Sequence, residues 1–241
     1  MVPGAPDPEL VSASAMVFVT DLGSPVLDEA TAHLVSDVLR LRPDEVVVAS
    51  DGAGSWVRCR LSGSADRTLV VDGDVASQPG PQTPITVGFV PTKGARPEWV
   101  AQKLTELGVD RIVPLWSRRS VVRWEGERAD RVVERMRRVV RESSAQCRRT
   151  RLPEVSPVMG LEELAALAGT DPVLAHPGGA RPGPGHTVVA VGPEGGWDDD
   201  ERRRWGAGIG LGPTVLRSET AAVAVGTVLC ALRSGVISPF A

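Results

Sequence analysis

The sequence of 241 residues contains no tyrosine, three histidines and three cysteines. The cysteines Cys59, Cys147 and Cys230 are odd in number and far apart, so they fit neither a disulfide framework nor a zinc site. The histidines show no metal-ligand spacing, and no Ser-His-Asp signature stands out. We therefore expect reduced structural thiols and no metal site.

Long hydrophobic runs are also missing. No apolar stretch reaches the roughly 18 residues that a membrane-spanning helix needs. Residues 1–15 lack the basic start and apolar core of a secretory signal, and we expect them to form a disordered extension. Apolar residues make up 42% of the chain and charged residues 24%, which is typical of a globular protein. These features predict a cytoplasmic protein without a membrane segment.

Basic charge is concentrated in one segment, although the formal net charge is -3. Residues 117–151 contain 12 arginines and 5 acidic residues, whereas the rest of the chain is acidic. Arginine suits phosphate oxygens, and a local basic field attracts a polyanion even to an acidic protein. The alternative is a solvated helix face with ion pairs four residues apart, such as Glu134 with Arg138. The charge pattern alone leaves nucleic-acid contact and a solvated helix open.

The chain divides near residue 80 into two parts with different patterns. Short strands and one helix follow each other in residues 16–77, and Asp51-Gly52-Ala53-Gly54 is a hairpin turn signal. A strand-rich unit of this length predicts a small barrel. The predicted strands are 16–19, 45–49, 56–61 and 68–71, and the predicted helix is 28–40. Residues 78–84 are rich in proline and glycine and are predicted to be a linker.

Strands and helices alternate in residues 85–241. This alternation predicts an α/β domain in which helices cover both faces of a parallel sheet. The predicted strands are 85–90, 111–116, 172–175, 187–191 and 207–211. The predicted helices are 97–107, 127–146, 161–168, 198–205 and 218–234.

Three strand ends in this domain carry unusual residues. In an open α/β sheet, ligands bind at the carboxyl ends of the strands, which here are followed by Leu174–Pro177, Gly192–Gly196 and Leu211–Leu216. The glycine-rich segment lacks the Lys-Ser/Thr of a phosphate loop, and the acidic residues 198–200 follow it. A neutral or cationic ligand therefore fits better than a nucleoside triphosphate, although a tight strand-to-helix turn explains the same residues.

Several motifs occur together in the order of one known family. They are Leu39-Arg40, Asp51-Gly52-x-Gly54, Lys93-Gly94 with Glu98-Trp99, Gln102-Lys103-x-Thr105-Glu106-Leu107-Gly108, Pro114-Leu115, Arg119-Ser120-Val121-Val122, Gly192-Pro193-Glu194-Gly195-Gly196 and Leu216-Arg217-Ser218-Glu219-Thr220-Ala221. From about Met16 to the C-terminus, this pattern resembles the ribosomal RNA small subunit methyltransferase E family. The members are SPOUT-class enzymes that methylate N3 of a uridine in 16S ribosomal RNA.

The resemblance implies a fold, a cofactor and partners. It implies a PUA-like N-terminal barrel that binds RNA, and a C-terminal SPOUT domain in which a deep trefoil knot binds S-adenosylmethionine. It also implies a homodimer that acts on 16S rRNA of the small ribosomal subunit. The knot comes from the resemblance alone, because knots are rare among protein folds. A cationic sulfonium ligand agrees with strand-end loops that lack phosphate-binding character.

The resemblance also implies site residues. For the cofactor these are Leu174, His176, Gly192, Glu194, Gly195, Gly196, Leu211, Gly212, Leu216, Glu219 and Thr220. For RNA they are Arg40, Lys93, Gln102, Lys103, Arg118, Arg119, Arg148 and Arg149. N3 of uridine carries a proton at neutral pH, so the reaction needs a base and groups that stabilise the charge developing on O2 and O4. Our candidates are Glu194 as the base and Arg119 and Arg217 as the stabilising groups. The alternatives are that Glu194 only holds its loop by backbone hydrogen bonds, that Arg217 only braces the cofactor loop, and that Arg119 binds phosphate.

One segment departs from the family pattern. Family members often carry Glu-Gln, a small residue and Gly-Arg where this chain has Ala145-Gln146-Cys147-Arg148-Arg149. The acid is absent at Ala145, and Arg148 replaces the glycine, which favours a phosphate contact at this point.

Two other functions share part of the pattern. One is a SPOUT enzyme that acts on another RNA position, such as a ribose 2'-hydroxyl. The other is a non-catalytic RNA-binding assembly factor with a decayed cofactor pocket. The intact runs at Gly192–Gly196 and Leu216–Ala221 argue against the second.

Overall fold

The computed structural model describes residues 7–62, 68–92, 97–206 and 208–238. The chain forms two compact units. The N-terminal unit runs to residue 81 and also takes in residues 141–152, and the C-terminal unit contains residues 82–140 and the chain from 153 onward. The division after residue 81 falls within the predicted linker. No sequence pattern indicated that residues 141–152 belong to the N-terminal unit.

The N-terminal unit is built on a five-stranded sheet. Its strands follow the order β1-β2-β3-β4, with β5 paired to β3, and β1 and β2 are parallel while the other pairs are antiparallel. The strands are β1 (Ala15–Phe18), β2 (Val46–Ser50), β3 (Ser55–Leu61), β4 (Leu69–Val71) and β5 (Ala76–Ser77). The helices are α1 (Pro8–Ser12) and α2 (Glu29–His33), and a π-helical turn (Leu34–Val38) continues α2. At the predicted hairpin, the Asp51 carboxylate accepts hydrogen bonds from the amides of Ala53 and Ser55.

Residues before Met16 are part of this unit's core. The Asp7 side chain caps α1 by accepting from the Glu9 amide, and Leu10 is only 1% exposed. Leu10 packs in a hydrophobic cluster with Phe18 and Trp56. The prediction of a disordered extension is therefore wrong for residues 7–15, which form α1 and the start of β1 and in which Leu10, Ala13 and Ala15 are buried. Residues 1–6 lie outside the described residues.

The C-terminal unit contains a parallel five-stranded sheet in the order β8-β7-β6-β10-β9. Its strands are β6 (Thr86–Phe89), β7 (Arg111–Pro114), β8 (Glu154–Val155), β9 (Val173–Ala180) and β10 (Val188–Val191). The helices are α3 (Pro97–Leu107), α4 (Gly126–Gln146), α5 (Leu161–Ala168), α6 (Asp199–Trp205) and α7 (Ser218–Arg233). This confirms the predicted α/β class.

Alternating strand residues feed two cores, one on each face of the sheet. Val87 and Val189 point to the face that packs against α3, α4 and α7. The neighbouring Ala190 and Val188 join Leu164 of α5 and Trp205 of α6 on the other face. This two-sided burial is what a parallel sheet requires. Among the described residues, no helix is long and apolar enough to cross a membrane.

The predicted strand 207–211 is wrong as an element. Ile209 forms only isolated bridges, with Ala175 and with Ala180 at the two ends of one stretch of β9. Because both partners belong to β9, that strand curves around Ile209 and no regular ladder extends past it. Ala207 lies outside the described residues.

Candidate functional site

A cavity of about 300 Å³ lies at the carboxyl edge of the C-terminal sheet. Three segments meet there: Ala175–Pro177 of β9, Val191–Trp197 after β10, and Leu211–Leu216 before α7. The sequence predicted loops at three strand ends. Gly192–Gly196 does follow β10, whereas β9 continues to Ala180, so Leu174–Pro177 lies within that strand and not after it. The third joins them because Ile209 bridges to β9 just before it. The cavity thus forms from residues that are up to 46 positions apart in the chain.

Eight of the residues predicted for the cofactor line this cavity. They are His176, Gly192, Glu194, Gly195, Gly196, Leu211, Gly212 and Leu216. Leu174, Glu219 and Thr220 do not line it. Leu174 is fully buried in the opposite core, since successive strand residues face opposite sides and Ala175 takes the cavity position. On α7, Ser218 and Ala221 line the cavity, and Glu219 and Thr220 lie on other faces of the helix.

Trp197 is a wall residue that the sequence reasoning missed. Its indole Nε1 donates to the Ala175 carbonyl at 3.0 Å, which links the loop after β10 to β9. The ring is 4% exposed and lies so close to Gly192 that a Cβ there would stand 2.9 Å from its Cε2 atom. The clue in the sequence is that a tryptophan directly follows the glycine-rich turn, where its ring can pack against a glycine. Val191, Ser218 and Ala221 were also missed.

Ser218 fixes the start of α7 at this edge. Its hydroxyl donates to the carbonyl of Val90, just after β6, at 2.9 Å, and the residue is 4% exposed. The small residues Ser218 and Ala221 therefore let the helix approach the sheet edge closely enough to form the floor of the cavity.

The lining has little charge. Glu194 is exposed and is the lining's one acidic residue, and none of the described lining residues is lysine or arginine. His176 is held by two hydrogen bonds: Nε2 accepts from the Gly208 amide at 3.3 Å, and Nδ1 faces the Pro177 carbonyl at 2.9 Å. In this arrangement Nε2 is the acceptor and Nδ1 is the donor. Such a cavity suits a ligand that is apolar or positively charged where it meets Glu194.

Arg118 and Arg119, which follow β7, tie their loop to the cavity wall. The Arg119 guanidinium donates to the Gly195 carbonyl at 3.0 Å. The Arg118 amide donates to Glu201 Oε1 at 2.9 Å, and the other oxygen of Glu201 accepts from the Asp198 amide at 2.8 Å. The Arg118 side chain forms an exposed ion pair with Asp200. Hydrogen bonding to Arg118 lowers the pKa of Asp200, and the same contact raises the pKa of Arg118.

The other predicted catalytic residue, Arg217, does not line the cavity. It is exposed and occupies the N-cap position of α7, where its carbonyl accepts from the Ala221 amide. Glu194 thus lines the cavity, Arg119 contacts the cavity wall, and Arg217 lies at the N-terminus of α7.

The predicted RNA residues have different surroundings. Arg40 is exposed and has a left-handed backbone with φ of 53°. On α3, Lys103 forms an ion pair with Glu106 at 2.7 Å, and Gln102 is half-buried. Lys93 lies outside the described residues.

Arg148 has an internal role in the N-terminal unit. Its guanidinium donates to the carbonyl of Ala13 at 2.7 Å and that of Ser14 at 3.4 Å, and burial lowers its pKa. Its φ of 61° places it in the left-handed position just past α4. The adjacent Arg149 is half-buried, and its amide donates to the Ser144 carbonyl. These two contacts engage Nη2 of Arg148, and the phosphate contact predicted for this residue stays a prediction.

No group of three or more His, Cys, Asp and Glu side chains among the described residues is arranged to hold a metal ion.

Comparison with known proteins identifies the family. The family model described as RNA methyltransferase domain matches residues 78–230. The ribosomal RNA small subunit methyltransferase E of Mycobacterium tuberculosis is 33% identical over 240 residues, which cover 89% of this chain and 91% of that protein.

Two solved structures are similar over most of the chain. One is ribosomal RNA small subunit methyltransferase E from Neisseria gonorrhoeae bound to S-adenosyl methionine, with a TM-score of 0.75 and 27% identity, covering 90% of this chain and 97% of that one. The other is a Legionella pneumophila methyltransferase in complex with the same cofactor, with a TM-score of 0.77 and 26% identity, covering 90% of this chain and 96% of that one. The match in both parts of the chain confirms the resemblance seen in the motifs. This chain belongs to the ribosomal RNA small subunit methyltransferase E family.

Proposed function

We propose that this protein is an S-adenosylmethionine-dependent methyltransferase that methylates N3 of a uridine in 16S ribosomal RNA. The observation that carries the proposal is the cavity at the carboxyl edge of the parallel sheet, in a chain that belongs to this methyltransferase family. The similar structures from Neisseria and Legionella contain the cofactor.

The cavity suits this cofactor. Apolar side chains such as Leu211, Leu216 and Ala221 supply surface for an adenine ring, and the glycine-rich loop leaves room for its substituents, since a Cβ on Gly195 or Gly196 would meet nothing within 4 Å. The exposed Glu194 carboxylate offers a partner for a positive charge. When bound, the cofactor supplies an electrophilic methyl group, and the protein's task is to position the acceptor.

In this proposal Glu194 and Arg119 assist the acceptor. The Glu194 carboxylate would accept the N3 proton of uridine, and N3 would then bond to the methyl carbon that the bound cofactor would supply. Arg119 holds the Gly195 carbonyl next to Glu194 in the chain and so orients the base. Its positive charge also stabilises the negative charge that develops on O2 and O4 of the uracil. Arg217 stabilises the same charge from the start of α7.

The cofactor loops form a trefoil knot in this proposal. The support is the close passage of one backbone past another: a Cβ on Gly208 would lie 1.9 Å from the Leu174 carbonyl oxygen, and one on Gly179 would lie 2.4 Å from the Ile209 carbonyl carbon. Ala180 and the segment 208–210 also exchange two backbone hydrogen bonds at 2.8 Å. In a knotted chain one segment passes through a loop formed by another, and the close passage of residues 208–210 along the curved β9 is consistent with such threading.

The partners follow from the same function. The N-terminal unit, with its mixed five-stranded sheet and exposed Arg40, serves as a PUA-like RNA-binding barrel, and Gln102, Lys103 and Arg149 contribute RNA contacts. The enzyme acts as a homodimer in the cytoplasm, where small ribosomal subunits are made. Half-exposed apolar residues of α7, namely Val223, Val228 and Leu232, supply surface for a second copy.

Mass-spectrometric nucleoside analysis of 16S rRNA tests the activity. Cells that lack the gene are expected to lose 3-methyluridine, and the intact gene is expected to restore it. Gly192→Ala is expected not to restore it, because the added Cβ displaces Trp197 from the cavity wall. Gly185→Ala is the matched control, since Gly185 has open space around it and lies outside the cavity. Unchanged 3-methyluridine in the deletion strain contradicts the proposal, and a missing 2'-O-methylnucleoside instead identifies another RNA position.

A further inference from the structure

A second cavity lies along the same sheet edge. It is an open groove of about 670 Å³ where Trp116, just after β7, and residues 157–158, just after β8, face the first turns of α4. All five strands of this sheet are parallel, so the groove and the cofactor cavity open at one edge. Only β6 lies between β7 and β10, so the distance between these two strands is about 10 Å at the usual strand spacing.

Two tryptophans line this groove. Trp116 is 47% exposed, although a residue of its size is usually well covered in a monomeric domain. Its indole rests on Gly160, where a Cβ would lie 2.8 Å from the Cζ2 atom. Trp124 is half-buried and packs against the core beneath the groove. The core and the missing side chain at Gly160 thus hold one aromatic ring with its other face open to solvent.

The charged groups of the groove have free hydrogen-bonding capacity. In the part of the chain that the structure describes, the side chains of Arg123, Glu125 and Asp130 make no hydrogen bond or ion pair, whereas Arg137 is paired with Glu134. Carboxylates accept hydrogen bonds from exocyclic amino groups of bases, and uracil has no such group. An exposed ring beside such acceptors is how proteins bind an unpaired base.

We propose that the groove binds an unpaired, amino-bearing base of the RNA substrate, next to the uridine that enters the cofactor cavity. The base stacks on the indole of Trp116, and Glu125 and Asp130 accept from its amino group. Arg123 neutralises a phosphate at the rim. The inference rests on the proposed function, because it places this base in the same RNA segment as the methylated uridine, and the short separation of the two cavities allows one segment to reach both.

Fluorescence titration with oligoadenylate and oligouridylate of equal length tests the proposal. The full-length protein is expected to bind oligoadenylate more tightly. Trp116→Ala is expected to weaken oligoadenylate binding by about 5- to 100-fold, which is the usual effect of removing one stacking ring. Trp116→Phe is expected to restore most of the affinity. Trp99→Ala is the matched control, because Trp99 is 40% exposed on α3 and lies outside the groove.

A second variant leaves the tryptophan in place. Gly160→Ala keeps an ordinary backbone conformation, with φ of -90°, but its Cβ pushes the indole out of position. It is expected to weaken oligoadenylate binding as well. Calorimetry with S-adenosylmethionine is expected to give the same affinity for all four variants, which shows that they are folded and that the cofactor cavity is intact.

Three results would overturn the proposal. The first is an equal affinity of Trp116→Ala and Trp99→Ala for oligoadenylate. The second is equal binding of the two oligonucleotides by the unmodified protein. The third is loss of a dimer in sedimentation by Trp116→Ala but not by Trp99→Ala, which would assign the groove to a second copy. The proposed function fails separately, if the unmodified protein neither binds S-adenosylmethionine nor methylates 16S rRNA.

Discussion

Two arginine pairs of the same basic segment have different roles in the structure. Arg118 and Arg119 tie the loop after β7 to the wall of the candidate cavity through Gly195, Asp200 and Glu201. Arg148, about 30 residues on in the chain, instead fastens the carbonyls of Ala13 and Ser14 within the N-terminal unit. Local charge density made both pairs candidates for phosphate contact. Arginines of a basic segment can thus donate to acceptors within the protein itself, so a high local charge does not by itself indicate a phosphate contact.

The largest expected effect comes from Glu201, the acceptor behind the first pair. Glu201 is 9% exposed and accepts from two backbone amides, those of Arg118 and Asp198. Glu201→Ala removes both acceptors, and we expect a loss of about 3 kcal/mol of stability in the C-terminal unit, because buried donors without partners cost about 1–3 kcal/mol each. Chemical denaturation measures this loss. Glu201→Gln keeps a side-chain acceptor, and a loss as large as that of Glu201→Ala would contradict the explanation.

The second effect tests the other pair. Arg148→Ala leaves the Ala13 carbonyl without its donor, and we expect a loss of about 2 kcal/mol in the N-terminal unit. Arg148→Gly removes the same donor but relieves the left-handed backbone at φ of 61°, which saves about 1 kcal/mol. Hydrogen exchange of residues 7–18 is expected to rise more in the alanine variant. Equal exchange in the two variants would show that the backbone conformation contributes nothing.

A smaller effect is expected at Arg119. Arg119→Ala removes the donor to the Gly195 carbonyl, which is worth about 1 kcal/mol or about fivefold in cofactor affinity. Calorimetry with S-adenosylmethionine measures it. Hydrogen exchange of residues 7–18 is expected to stay unchanged, because Arg119 belongs to the C-terminal unit. Faster hydrogen exchange of residues 7–18 in Arg119→Ala would show that the two arginine pairs do not act on separate units.

The smallest effect is expected at the exposed ion pair of Arg118 with Asp200. Both groups are in solvent, so Asp200→Asn is expected to change stability little, and any change is expected to vanish at high salt. The pKa of Asp200 is lowered, so its contribution is present above the ordinary value near 3.8 and is lost as the pH falls through the lowered pKa. Between pH 7 and about 5, denaturation of the native protein and of Asp200→Asn should therefore differ by a constant amount. A difference that disappears near pH 6 would contradict this assignment.

The candidate site was predictable where it depends on strand ends. Gly192–Gly196 and Leu211–Leu216 follow patterns that are local in sequence, and both line the cavity. Leu174 was wrongly assigned to the cavity because the sequence does not show which residues of the strand face the cavity and which face the core. Successive strand residues face opposite sides, so an error of one residue places a core residue in the cavity. Trp197 was overlooked because its role depends on the carbonyl of Ala175, a residue 22 positions away.

The α/β class, the parallel sheet and the family could all be predicted from the sequence, because neighbouring residues carry the hydrophobic periodicity and the short motifs. Tertiary structure decided which arginines are engaged by carbonyls and carboxylates, how Gly208–Gly210 passes the curved β9, and that residues 141–152 join the N-terminal unit. It also brought Trp116 and Trp124 to one groove at the same carboxyl edge of the sheet as the candidate cavity. These features depend on contacts between residues far apart in the chain, and such contacts leave no periodic signal in the sequence.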